Sequence, residues 1–179
     1  MHRPLNLQVE SIPFAYDLDQ RGEEALEIPP FNRWGYLPRG VYDACFEQVI
    51  QRFATDPTRK TLCQRLEKFL LMVIDGNSYS HAYIGGDFTT TKTSPKETAV
   101  ILQTRDRYGP EAFRAIEPLL NLGLEAIFKK YSVRLNFWCP GFPVGINDFR
   151  DYFESMRPNE VFPVGMSAGV KKGVVAIKL

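Results

Sequence analysis

At 179 residues the chain suits one domain with at most a small appendage, and 44% hydrophobic and 13% aromatic residues supply a substantial core. Its net charge of +1, from 22 basic and 21 acidic residues, excludes a bulk basic field that would hold nucleic acid by neutralising phosphates, although a local basic groove stays open. The longest apolar run, Phe69–Ile74, falls far short of the roughly 20 residues that span a bilayer, and "MHRPLNLQVE" lacks the apolar core of a signal peptide, so a cytoplasmic protein with no membrane contact is expected.

Residues 1–27 show no sustained period and end in acidic "RGEEALEIPP". They read as an N-terminal arm, in which alternating Ile12, Phe14, Tyr16 and Leu18 leave room for a short edge strand. A single domain is expected over 28–179. Its opening, "IPPFNRWGYLPRGVY", reads as an extended surface segment pinned by Phe31, Trp34 and Tyr36. The first helix is predicted over 43–54, capped by Asp43, with Phe46, Val49, Ile50 and Phe53 at helical spacing. A second spans 58–74, with Leu62, Leu66, Phe69, Leu70, Val73 and Ile74 on one face, and "DGNS" closes it.

A strand over 79–84 stops at Gly85-Gly86, a loop follows, and "TAVILQ" makes a second strand over 98–103. Pro110 and Glu111 open a helix reaching about residue 130, with Phe113, Ile116, Leu119, Leu120, Ile127 and Phe128 predicted to face inward. Strand 132–138, a helix over 147–156 capped by Asn147, and strand 173–178 complete the chain. Mixed helices and strands, including a tight two-strand unit, predict an α+β fold, an α/β sandwich with a sheet of four to five strands.

The three cysteines, Cys45, Cys63 and Cys139, are odd in number and lack CxxC spacing, which reads as buried reduced thiols. Two histidines, His2 and His81, leave no basis for a His-based zinc site or a His-dependent triad. His81 reads as a packed strand residue. Trp34 and Tyr36 read as packing side chains, although such rings can also stack on bases. Asp148 and Asp151 lie three apart and read as a solvated first helical turn; Lys171-Lys172 reads as a surface turn. Phe142, Phe162 and the 31–36 cluster would form a protein-binding patch if exposed together.

The stretch "YIGGDFTTTKTSPKETAVIL", 83–102, carries the most chemistry. Glycines after a strand let backbone amides approach an anion closely. In a nucleotide-handling site of this form, two carboxylates one residue apart on the next strand share a face and hold the divalent ions that bridge the phosphates. "GGDFTTTKTSPKETAVIL" resembles the small bacterial and phage proteins that carry nucleotidyltransferase-like domains of unknown function. Those show a Gly-Ser-Phe turn, a short loop with proline, then Asp-x-Asp before an apolar strand. The resemblance extends to "IPPFNRWGYLPRGVY", "NDFRDYFESMRPNE" and "KKGVVAIKL", and so covers 28–179. It implies the minimal nucleotidyltransferase fold, some of whose members act as antitoxins or in phage defence.

The departures from that pattern matter most. Gly85, Gly86, Asp87 and Thr89 occupy the nucleotide-binding turn, but Asp87 stands where serine is expected. A carboxylate about 4 Å from a phosphate charge is repelled by about 4 kcal/mol at an effective dielectric of about 20. Glu97 takes the first aspartate position and is the one candidate metal ligand; Ala99 takes the second and can ligate nothing. The third carboxylate position falls at Arg134 or Asn136. Thr89, Thr90, Thr91 and Thr93 read as loop hydroxyls that bond their own backbone. Asp87 and Glu97 read as partners of Lys92 or Lys96 unless they serve a metal. The expectation is therefore a degenerate active site, no cofactor, and a protein that binds a protein partner. The alternatives are an active Mg-dependent enzyme transferring AMP from ATP, with Asp87 and Glu97 as catalytic ligands, and a non-catalytic nucleotide sensor.

Overall fold

In the computed structural model the described residues are 28–141 and 172–179. The predicted arm over 1–27 and helix over 147–156 lie outside them, as do Asp148, Asp151, Phe142, Phe162 and Lys171. Along the described chain run β1 (Val41–Asp43), α1 (Phe46–Phe53), α2 (Pro57–Ile74), β2 (Tyr79–Gly85), a 3-10 turn (Gly86–Thr89) and β3 (Thr98–Thr104). Then come α3 (Pro110–Leu122), α4 (Leu124–Tyr131), β4 (Val133–Trp138) and β5 (Val174–Lys178).

The five strands form one mixed sheet in the order β1-β5-β2-β3-β4. β1–β5 and β3–β4 run parallel, while β5–β2 and β2–β3 run antiparallel. Helices and a mixed sheet in one unit make this an α+β fold, as expected. Successive strand side chains point to opposite faces. One face supplies Ala82, Ile84, Val100, Leu102, Val133, Leu135, Val175 and Ile177 to the main core, together with Leu62, Leu66, Phe69, Leu70 and Val73 of α2 and Ile127 and Tyr131 of α4. The other face carries a smaller buried cluster of Tyr83, Ile101, Val174 and Ala176. Apolar burial on both faces explains why "TAVILQ" reads as a continuous apolar run.

Several expectations need correction. Asp43 does not cap α1: Val41, Tyr42 and Asp43 pair with Val174, Val175 and Ala176, so the chain is still extended there. Cys45 takes the N-cap position instead, its backbone N–H donating to Gln48 Oε1 at 2.9 Å. The opening segment is pinned as expected by Phe31, which packs on Phe53 with ring centroids 6.2 Å apart, and by Tyr36, which forms a β-bridge to Thr90, with the fully buried Leu37 as a further anchor.

The helix predicted over 110–130 is two helices. Gly123 breaks it with φ +89°, a conformation side-chain-bearing residues rarely adopt, and its N–H donates to Leu119 O (3.2 Å) and Leu120 O (3.0 Å). The buried stripe is narrow, made of Ala112, Ile116 and Leu119 in α3 and Ile127 and Tyr131 in α4. Ile116, Leu119 and Ile127 are buried as expected, but Phe113, Leu120 and Phe128 are 53%, 51% and 40% exposed.

Cys63 and Cys139 are buried and free, as expected, but Cys45 is exposed because a helix start lies at the surface. Burial pushes the Cys63 thiol up to about 11, against the opposing pull of Arg59. Iodoacetamide at neutral pH is therefore expected to label Cys45 in the folded protein and to reach Cys63 and Cys139 only in denaturant; mass spectrometry of the alkylated peptides reads this directly. Early labelling of Cys63 would show that α2 opens far more readily than its packing allows. Among the described residues no helix is long and apolar enough to cross a membrane.

Candidate functional site

The turn after β2 is shaped by two small residues. Gly86 has φ +76°, and a Cβ placed on it would lie 3.0 Å from the Cβ of Ala99. Ala99 pairs with Gly85 across β2–β3 and forms the floor under the turn. A larger side chain at 99 would meet the backbone of the turn, which gives the alanine a packing reason.

Beyond Gly86 the loop is tied to itself. Thr89 Oγ1 donates to Gly86 O (3.2 Å) and Thr90 Oγ1 donates to Asp87 O (2.8 Å), so both hydroxyls serve local backbone as expected. Thr89 is buried. The Asp87 carboxylate pairs with Lys92 Nζ, the partner expected of a solvated loop charge. Phe88 is fully buried and packs on Phe53, ring centroids 5.4 Å apart.

One residue unmarked by sequence reasoning organises this loop. Arg59, in the first turn of α2, has a side chain only 6% exposed. Its Nη1–H donates to Phe88 O at 2.6 Å, and its Nη2–H donates to Thr90 O at 2.6 Å and Lys92 O at 2.8 Å. Arg59 Nε faces Asp56 Oδ2 at 3.4 Å, and Asp56 also caps α2 by accepting the Arg59 backbone N–H at 3.0 Å. Burial lowers the Arg59 pKa from its ordinary value, with Asp56 opposing. A signal was present: Arg59 falls in helical phase with Leu62, Leu66, Phe69 and Val73, so it points into the core face.

On the other side of the loop the parallel register sets Ala99 opposite Arg134 and Ile101 opposite Asn136. Glu97, two residues before Ala99, reaches the same side and forms an ion pair with Arg134. The expected partners Lys92 and Lys96 are thus replaced: Lys92 is held by Asp87, and adjacent residues of an extended chain such as Lys96 point away. Glu97 is largely buried, with 18% of its side chain exposed.

The positions read as a lateral carboxylate set do converge, but their chemistry is that of a charge pair. A divalent magnesium ion takes about six oxygen ligands and tolerates no adjacent cation without cost. Here one carboxylate already holds a guanidinium, Ala99 has no donor, and Asp87 holds an ammonium. This donor set does not fit a pair of magnesium ions. Among the described residues no group of three or more His, Cys, Asp and Glu side chains could hold a metal ion.

The remaining singled-out side chains have structural surroundings. His81 is half-buried, stacks on Tyr83 with ring centroids 5.9 Å apart, and has its pKa lowered by burial, against the pull of Asp43. Arg33 lies over the Trp34 ring at 4.2 Å, and Lys172, which is buried, lies over Tyr36 at 5.5 Å.

No curated protein and no solved structure matches the chain. A family model does match, from the opening segment at residue 29 to the end of β5 at residue 178. On that extent the chain belongs to DUF6932, a family of unknown function.

Proposed function

We propose that the chain is a catalytically degenerate relative of the minimal nucleotidyltransferases and acts by binding a protein partner. The observation that carries this reading is the Glu97–Arg134 ion pair, set beside the cradle of Gly85, Gly86 and Ala99. A guanidinium where a metal-bridged triphosphate would sit supplies one fixed positive charge, lacks the Lewis acidity that activates an attacking hydroxyl, and neutralises the carboxylate that would bind the ion. Large apolar side chains exposed along α3 and α4, two helices that pack on each other (Phe113, Leu120, Leu122, Leu124 and Phe128), support a partner surface, because exposed apolar area of this kind marks interaction sites. An antitoxin or phage–host conflict role is the setting this reading proposes.

The test has two arms. Incubation with labelled ATP, Mg²⁺ and cell lysate is expected to leave every protein unlabelled. A transferred nucleotide that disappears with Glu97→Gln would overturn the reading. In the second arm, a protein captured from lysate by the native chain is expected to bind about tenfold more weakly to Leu120→Glu and Phe128→Glu, the scale of losing one interface anchor. Capture unchanged by both substitutions removes the proposed surface.

A further inference from the structure

A cavity of about 300 Å³ opens between the α1–α2 junction and the outer loop at Thr90–Thr93, apart from the Gly86 turn. Small-ligand pockets begin at about this size, roughly 300 Å³. Its wall carries three cations, Arg52, Arg59 and Lys92, the last already paired with Asp87, against one carboxylate, Asp56. That carboxylate is already engaged by the backbone N–H of Arg59 and by its Nε.

Arg52 is the informative residue. Its guanidinium lies on the Phe31 ring at 4.2 Å, and Nη2–H donates to Pro29 O at 3.3 Å. Its Nε is buried without a hydrogen-bond partner. A buried N–H with no acceptor is costly, and native structures rarely leave one without a reason. Arg59 adds a second pressure in the same direction. Burial disfavours its charged form, so a further anion nearby would stabilise it. The hydroxyl-bearing side chains Thr91 and Thr93 complete the wall opposite.

We propose that this cavity is a binding site for a small phosphate monoester. The phosphoryl group sits against the edge of the Arg52 guanidinium and the loop threonines, and the carbon body lies along Phe31. Arg52 Nε is enclosed rather than open to the cavity, so the guanidinium has to turn on its ring stack before Nε–H reaches a phosphoryl oxygen in the forked geometry by which arginine recognises phosphate. The site uses the opening segment at Phe31, α1, α2 and the outer loop, none of it α3 or α4, so it stands or falls independently of partner binding through those helices.

Calorimetric titration of the full chain with inorganic phosphate and with phenyl phosphate tests it. Saturable one-site binding is expected, tighter for phenyl phosphate; equal affinities would overturn the monoester assignment, and absence of saturation would overturn the site. Arg52→Met keeps the apolar stem on Phe31 and is expected to weaken phenyl phosphate about tenfold or more. Arg114→Met, at an exposed position on α3, is expected to change nothing. Equal loss in both variants would mean diffuse attraction to surface charge and would refute the site. Thr93→Val, in an exposed stretch of loop, gives a second reading if the Arg52 variant does not fold. Loss of about tenfold supports the proposal, and unchanged affinity counts against it.

Discussion

Replacing Arg59 by methionine is expected to destabilise the fold by about 4 kcal/mol, the upper range for a single substitution. The side chain is almost wholly enclosed, and its two terminal nitrogens hold the carbonyls of Phe88, Thr90 and Lys92 at 2.6, 2.6 and 2.8 Å. Each hydrogen bond to a charged group is worth about 1.5–3 kcal/mol, and the three are not additive because they share one guanidinium. Methionine fills the stem's volume but leaves these carbonyls facing an apolar atom. The Lys92 carbonyl lies on an exposed residue and can turn to water, which keeps the loss below the full sum. Lysine is expected to recover less than half, since a single ammonium lacks the planar fork that spans alternate carbonyls. Urea unfolding followed by circular dichroism measures both variants. A loss under about 1 kcal/mol for Arg59→Met would show that the loop holds its shape without this residue.

The second large effect is expected at Gly173→Ala. A Cβ there would lie 2.2 Å from Pro38 O, 2.6 Å from the Tyr42 ring and 3.1 Å from Leu37 Cβ. The nearest obstacle is backbone, which cannot swing aside as a side-chain tip can. Gly173 N–H donates to Leu37 O (3.0 Å) and Val174 N–H donates to Gly40 O (2.9 Å), so the same methyl separates β5 from the 37–42 segment and then from β1. Overpacking of this kind costs about 1–3 kcal/mol or more, and the upper figure applies because two hydrogen bonds go with it. Gly123→Ala provides the contrast. Nothing lies within 4 Å of its Cβ, and only the φ of +89° opposes it, at about 1 kcal/mol. Thermal melts of the two variants are expected to rank Gly173→Ala well below Gly123→Ala. The reverse order would mean that the 37–42 segment yields freely.

The elements that could be read from sequence are those whose period is long and clean. α2 spans five turns with its apolar residues in phase, β2 and β4 follow Ser78 and Ser132 and stop at or near Gly85-Gly86 and Pro140, and β3 is a continuous apolar run. β1 was hidden because three residues between Gly40 and Ala44 are too few for a period, and the strand exists only by pairing with distant β5. The α3–α4 break was hidden because Gly123 sits in an otherwise continuous helical pattern, where one glycine is tolerated as often as it terminates. Phe113 and Leu120 precede the break, and with Phe128 they sit beside the narrow buried stripes rather than on them, a distinction that apolar spacing alone does not make.

The site shows the same division. Strand alternation puts Glu97 and Ala99 on one side, since it is a local rule, while the facing position on the next strand stays open between Arg134 and Asn136. It could not say that Glu97 would choose Arg134 over Lys92 or Lys96, because that choice depends on the parallel β3–β4 register. Arg59 was overlooked for a different reason. A charged residue at a helix start is ordinarily solvated, and only the shape of a loop some thirty positions away makes burial worthwhile.

The sheet order has a consequence for how the protein is made. β5 lies between β1 and β2, yet it is encoded after every other described element. On a ribosome, α2, β2, β3 and β4 are synthesised while the strand that bridges them to β1 is still untranslated. Until it arrives, the inner edge of β2 has open amides and carbonyls, and β1 has nothing to pair with. Until β5 is made, the nascent chain therefore carries an unpaired strand edge of the kind that favours aggregation.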